Sequence, residues 1–182
     1  MTFPEIQIEV MESGAIGIIK NIISENIDIA ITSLDEEFSP LLNVHPLFNS
    51  RICFCVNKNH PLAERKKIFF EETLQEPLVM FNGDFYINKV IQKHYDRLER
   101  KPNTLLSTSQ LYTIKSLIFN NIASAFLLED CILPDENIAA IPLEEDIYSQ
   151  IGIITKKGAR TYPGTQQIVR FFEARFSTPK TL

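Results

Sequence analysis

The side chains best placed to do chemistry are hydroxyls and amides at the junctions between apolar segments. Ser13-Gly14-Ala15 separates an alternating apolar stretch from a run of isoleucines. Thr32-Ser33 follows Ile29-Ala30-Ile31, and Phe81-Asn82-Gly83 closes a second short apolar run. Ser107-Thr108-Ser109 precedes Leu111, Ile114, Leu117 and Ile118, which recur at helical spacing. Where a strand leads into a helix, the first helical N–H groups lack intrahelical acceptors and carry partial positive charge. In open α/β sheets ligands bind at such carboxyl ends, and hydroxyls beside free amides suit a small anion such as a carboxylate or an amino acid. Phe126, on a later apolar run, offers an apolar wall. Each hydroxyl has an equally simple role as a helix cap, because Ser, Thr and Asn are preferred there. Convergence of several on one place separates binding from capping.

Residues that would support catalysis are poorly arranged for it. His45, His60 and His94 are far apart, with no pair at metal-ligand spacing, and His94 lies on the apolar stripe of a helix. Asp35-Glu36-Glu37, Glu71-Glu72 and Glu144-Glu145-Asp146 sit in polar surroundings and read as solvated surface. Glycine-rich phosphate loops and a nucleophile elbow are absent. Cys53 and Cys55 are two apart in an apolar run and read, with Cys131, as reduced thiols, the first two being small core residues. The sequence therefore asks for no enzyme, metal or cofactor.

The elements that position the junction residues follow from periodicity. Phe3 to Met11 alternates and predicts a strand; Ile16, Ile19, Ile22 and Ile23 predict a helix closed by Asn26. Ile27 to Ile31 predicts a short buried strand, completing a parallel crossover. Ile52-Cys53-Phe54-Cys55-Val56 predicts a central strand, Leu78 to Phe81 another, and Phe85 to Leu98 a helix. Ser107-Thr108-Ser109 caps the next helix; strands follow at Ile122–Leu128, Ile138–Leu143 and Ile151–Thr155. Ile168, Phe171, Phe172 and Phe176 mark a closing helix. This alternation predicts α/β architecture with mainly parallel sheets.

The chain of 182 residues suits one domain or two small lobes, and 45% apolar content supplies a core. Its 18 basic residues are scattered among 23 acidic ones, for a net charge of −5, so the footprint of a nucleic-acid binder is missing. The N-terminus has no secretory signal, and no apolar run approaches the ~20 residues that span a bilayer, which makes a cytoplasmic location the default.

The order of elements resembles the effector-binding domain of LysR-type transcriptional regulators. Phe3-Pro4-Glu5-Ile6-Gln7-Ile8 is similar to the family's Phe-Pro strand, and Ile19 to Ile31, ending in Asp28-Ile29-Ala30-Ile31, to the helix and strand that follow it. His60-Pro61-Leu62-Ala63 matches the turn after its first crossing strand. Departures are Glu25 where glycine is usual, Asn121 and Ala123 in place of the glycines of a later strand, and Leu128 in place of the next proline. The strand and helix that open the family's regulatory domain, and the winged helix-turn-helix before them, have no counterpart in this sequence.

The resemblance implies two Rossmann-like lobes joined by two crossing hinge strands, the type II periplasmic-binding-protein-like architecture. Lobe I would comprise 1–56 with 156–182 and lobe II 57–155, with hinges near Ile52–Val56 and Ile151–Thr155. It implies a small-molecule effector held between the lobes near Ser13 to Ala15, Thr32 and Phe81 to Gly83, controlling transcription through a DNA-binding domain elsewhere. Homo-oligomers are implied too. A transport solute-binding protein, or a headless partner acting by dimerisation, would share this fold.

Overall fold

A computed structural model describes residues 7–34, 39–159 and 162–176. The chain divides into two compact units, Met1–Phe48 with Gln150–Leu182, and Asn49–Ser149. Two long strands, β2 (Leu42–Asn57) and β6 (Ile138–Lys156), each pass from one unit into the other. The sequence reading placed the divisions farther along the chain, at 56/57 and 155/156.

In the first unit, helix α1 (Ala15–Ile23) lays Ile22, with Ile18 and Ile19, against strand β1 (Ala30–Ser33). Ile22, Ala30, Leu34, Leu42 and Ile154 form the core. Strand β1 runs antiparallel to β6, pairing Ala30 with Ile154 and Thr32 with Gly152. A methyl group on Gly152 would meet the Leu34 Cδ1 at 2.6 Å and the His45 carbonyl at 2.7 Å, so only glycine fits. Helix α4 (Pro163–Phe176) buries Val169, stacks Phe176 on Phe48 and pairs Glu173 with His45 at 2.8 Å.

Three expectations for this unit need correction. Residues 7–14 form no strand, and the remainder of the expected Phe3–Met11 strand lies outside the described residues. Alternation makes a strand only where a neighbour takes up its N–H and C=O groups; among the described residues none does so, and Ile8 and Val10 stay 69% and 79% exposed. The parallel crossover is consequently not formed among the described residues, and β1 is buried on one face only, with Ile31 exposed. Glu25, not Asn26, takes the left-handed conformation that ends α1, at φ 59°.

In the second unit the continuous apolar run is central, as expected. Ile52, Phe54 and Val56 point to one face of β2 and join Ile87, Ile91 and Tyr95 of helix α2 (Tyr86–Arg97). Cys53 and Cys55 point to the other and join Ile114 and Ile118 of helix α3 (Leu111–Phe119). A strand covered on both faces has no polar side, which is why its sequence does not alternate. Strand β3 (Leu78–Phe81) lies parallel to β4 (Thr104–Thr108), and β5 (Ala125–Leu128) lies antiparallel to β2.

The sheets are thus mixed, not mainly parallel. Strand β2 enters this unit directly from the other one, without a crossover helix, so the rule that makes helix-linked strands parallel does not bind it. The two strands expected at Ile138–Leu143 and Ile151–Thr155 are one strand, β6. Residues Ser107 and Thr108, read as caps, end strand β4 instead.

Candidate functional site

Strands β3 and β4 bring two of the four junctions together. In their parallel register Met80 faces Ser107 and Phe81 faces Thr108. Beyond the strands the Asn82 N–H donates to the Thr108 carbonyl at 3.1 Å. Because the strands are parallel and each feeds a helix, α2 and α3 begin at this same edge, with their free N–H groups and positive dipole ends. Phe81-Asn82-Gly83 and Ser107-Thr108-Ser109 are therefore neighbours in space. Gly83 is exposed, and nothing lies within 4 Å of where its Cβ would be. Among the described residues, no acceptor takes up the N–H groups of Gly83 and Asp84.

The helix caps decide how much of this polar chemistry is already committed. The N-caps are Gly14 for α1, Phe85 for α2 and Gln110 for α3, and none makes a side-chain capping bond. Ser13 and Ser109 each stand one residue outside the cap position. Among the described residues, the side chains of Ser13, Thr32, Ser33, Asn82, Ser107 and Ser109 make no hydrogen bond within the chain. Thr108 is different: its Oγ1 accepts the Gln110 N–H at 3.2 Å, a local turn that tightens the entry to α3.

In the first unit, Ser13, the buried Gly14 and Ala15 stand at the start of α1, with the Ser13 Oγ lying over Gly17. Thr32 and Ser33, both half-buried, occupy the last two positions of β1. Phe126 is a core residue, 5% exposed, stacked on Phe70 with ring centroids 5.4 Å apart. With Phe81 it lines a small, partly open cavity of about 10 Å³, lined also by Val79, Met80, Ile87, Asn88 and Ile91. Asn88, which the sequence reading passed over, donates its Nδ2 to the Phe81 carbonyl. Its position in the first turn of a helix that follows a strand was the available signal.

None of the candidate positions is Lys or Arg, so positive potential at this edge comes from backbone amides and helix dipoles. Elsewhere the groups are spent on structure. Burial pushes the Cys53 thiol up to about 12 and raises Cys55 and Cys131 as well, leaving little thiolate for nucleophilic work. Among the described residues no His, Cys, Asp or Glu cluster is arranged to hold a metal ion. An open concavity of about 490 Å³ beside Gln92, Asp96 and Arg100 has exposed walls and lies at the opposite end of α2.

The sequence profile of the LysR substrate binding domain matches residues 1–177. The chain belongs to the LysR substrate-binding-domain family. Its architecture is accordingly the type II periplasmic-binding-protein-like fold of that family. The malolactic fermentation system transcriptional activator of Lactococcus lactis is 23% identical over 73% of this chain and 47% of that protein. The HTH-type transcriptional regulator CysB of Burkholderia cenocepacia is 22% identical over 86% of this chain and 51% of that protein. This LysR-type domain thus spans about half the length of these regulators.

Among solved structures, the regulatory domain of Synechocystis CcmR in complex with 2-PG aligns with TM-score 0.85 at 17% identity. The alignment covers 98% of this chain and 87% of that one. The effector-binding domain of QuiR in complex with shikimate aligns with TM-score 0.81 at 18% identity, over 100% of this chain and 86% of that one. The two curated relatives are named as a transcriptional activator and a transcriptional regulator. Among the described residues no helix is long and apolar enough to cross a membrane.

Proposed function

We propose that this LysR-type domain senses a small anionic effector, a carboxylate or an amino acid, and so controls transcription by an oligomeric, cytoplasmic regulator. The observation that carries the reading is the edge where β3 and β4 end side by side. Two helix N-termini without side-chain caps begin there, the Gly83 and Asp84 amides are free, and Gly83 leaves room for a ligand to approach the backbone. Two solved relatives whose effector domains carry 2-PG and shikimate support a small oxygen-rich ligand. In the first unit, beside Gly14 and Ala15, the hydroxyls of Ser13, Thr32 and Ser33 are uncommitted among the described residues.

The response would be a change in oligomer geometry, driven only by a difference in effector affinity between two states. A thermal-shift screen of carboxylates, amino acids and inorganic anions tests this. A ligand at 100 times its dissociation constant adds about 2.7 kcal/mol. A saturable shift that is lost in Thr32→Ala or Thr108→Ala supports the reading. Hits unaffected by both substitutions contradict the assignment of the site.

A further inference from the structure

Asn88 is the one polar side chain in the wall of the cavity formed by Val79, Met80, Phe81, Ile87, Ile91 and Phe126. An amide in an apolar wall needs a hydrogen-bond partner, and Asn88 finds it in the Phe81 carbonyl, the last one of β3. That carbonyl can only accept, so the amide orientation is fixed by chemistry: Nδ2 faces Phe81. Three bonds then hold the loop that follows. The Asn82 N–H goes to Thr108, the Phe85 N–H goes to the Asn82 carbonyl at 3.0 Å, and Asn88 fixes the peptide between Phe81 and Asn82. Among the described residues, the N–H groups of Gly83 and Asp84 remain unbonded.

We infer that Asn88 is a positioning residue, whose bond to the Phe81 carbonyl holds this loop so that the Gly83 and Asp84 amides are presented to a ligand. Its function in binding rests on the effector reading above; its effect on the loop does not. The side chain acts through the backbone and touches no ligand. A peptide plane free to turn would let these amides point elsewhere, and binding would have to order them first.

The test compares the whole chain with Asn88→Leu, which keeps the shape but removes the donor, and Asn88→Gln, which keeps a donor on a longer arm. Amide hydrogen exchange in the absence of ligand reports on the loop. In Asn88→Leu the Asn82 amide should exchange at least about tenfold faster while Val79 and Met80 in β3 stay as protected as before. Unchanged protection of Asn82 overturns the inference, and equal loss across β3 shows a merely structural role and overturns it too. Shikimate and inorganic phosphate serve as binding probes. If either binds the unaltered chain, Asn88→Leu should weaken it about tenfold and Asn88→Gln should recover part of the loss; equal affinities overturn the role in binding. If neither probe binds but exchange behaves as stated, the positioning of the loop stands, and the effector reading loses support.

Discussion

The Asn82 N–H reaches the Thr108 carbonyl across 3.1 Å, one residue beyond the end of β3, and so extends the β3–β4 pairing into the loop. That bond makes neighbours of two sequence segments more than a helix apart. It sets the Asn82 backbone beside the end of β4, the strand that leads into α3.

Two glycines should behave oppositely. Gly83 has open space around its Cβ position and no left-handed backbone, whereas Gly152 is packed against Leu34 and the His45 carbonyl. Gly83→Ala should leave stability within about 0.5 kcal/mol while weakening effector binding. Gly152→Ala should cost about 1–3 kcal/mol through overpacking. Urea denaturation read by circular dichroism checks both; equal costs at the two sites would contradict the packing described.

Glu25 at φ 59° and Asn121 at φ 54° hold left-handed conformations that cost an ordinary residue about 1 kcal/mol. Asn121→Gly should hold or raise the melting temperature, and Asn121→Val should lower it. At position 25 the gain from glycine is offset by loss of the exposed ion pair with Lys156, itself worth roughly 0–1 kcal/mol. Glu25→Gly should therefore be close to neutral and Glu25→Val destabilising. Valine and glycine variants melting alike would contradict the backbone geometry.

The Cys53 thiol, raised to about 12 by burial, ties stability to alkaline pH. In the unfolded chain it ionises near its ordinary value of 9.0, while the folded protein keeps the proton. The unfolded state then binds fewer protons, so stability present below pH 9 is lost as pH rises towards 12. Cys53→Ala should flatten this alkaline decline in denaturation curves taken from pH 8 to 11. An unchanged slope would show that Cys53 is not the group responsible.

Much of the fold was legible because burial leaves a compositional trace. The run from Ile52 to Val56, strand β3 and helices α1, α2 and α3 were all readable from apolar spacing. Strand β4 was not: Thr104 to Ser107 are exposed, so no burial pattern marks them. Pro142 and the acidic run Glu144 to Asp146 disguised the continuity of β6. The junction residues could be read from the change in periodicity. Their convergence could not be, since it depends on the unseen β4 lying parallel to β3. Phe126 was read as a ligand wall because a strand sequence does not say which of its residues face the core.

The central claim is best tested by following the backbone amides of ¹⁵N-labelled protein while carboxylates and amino acids are titrated in. The account predicts that a binding compound shifts Gly83 and Asp84 saturably, together with amides at the start of α3. A compound that binds while leaving Gly83 and Asp84 unmoved, or that shifts only the far end of α2 around Gln92 and Arg100, would contradict it.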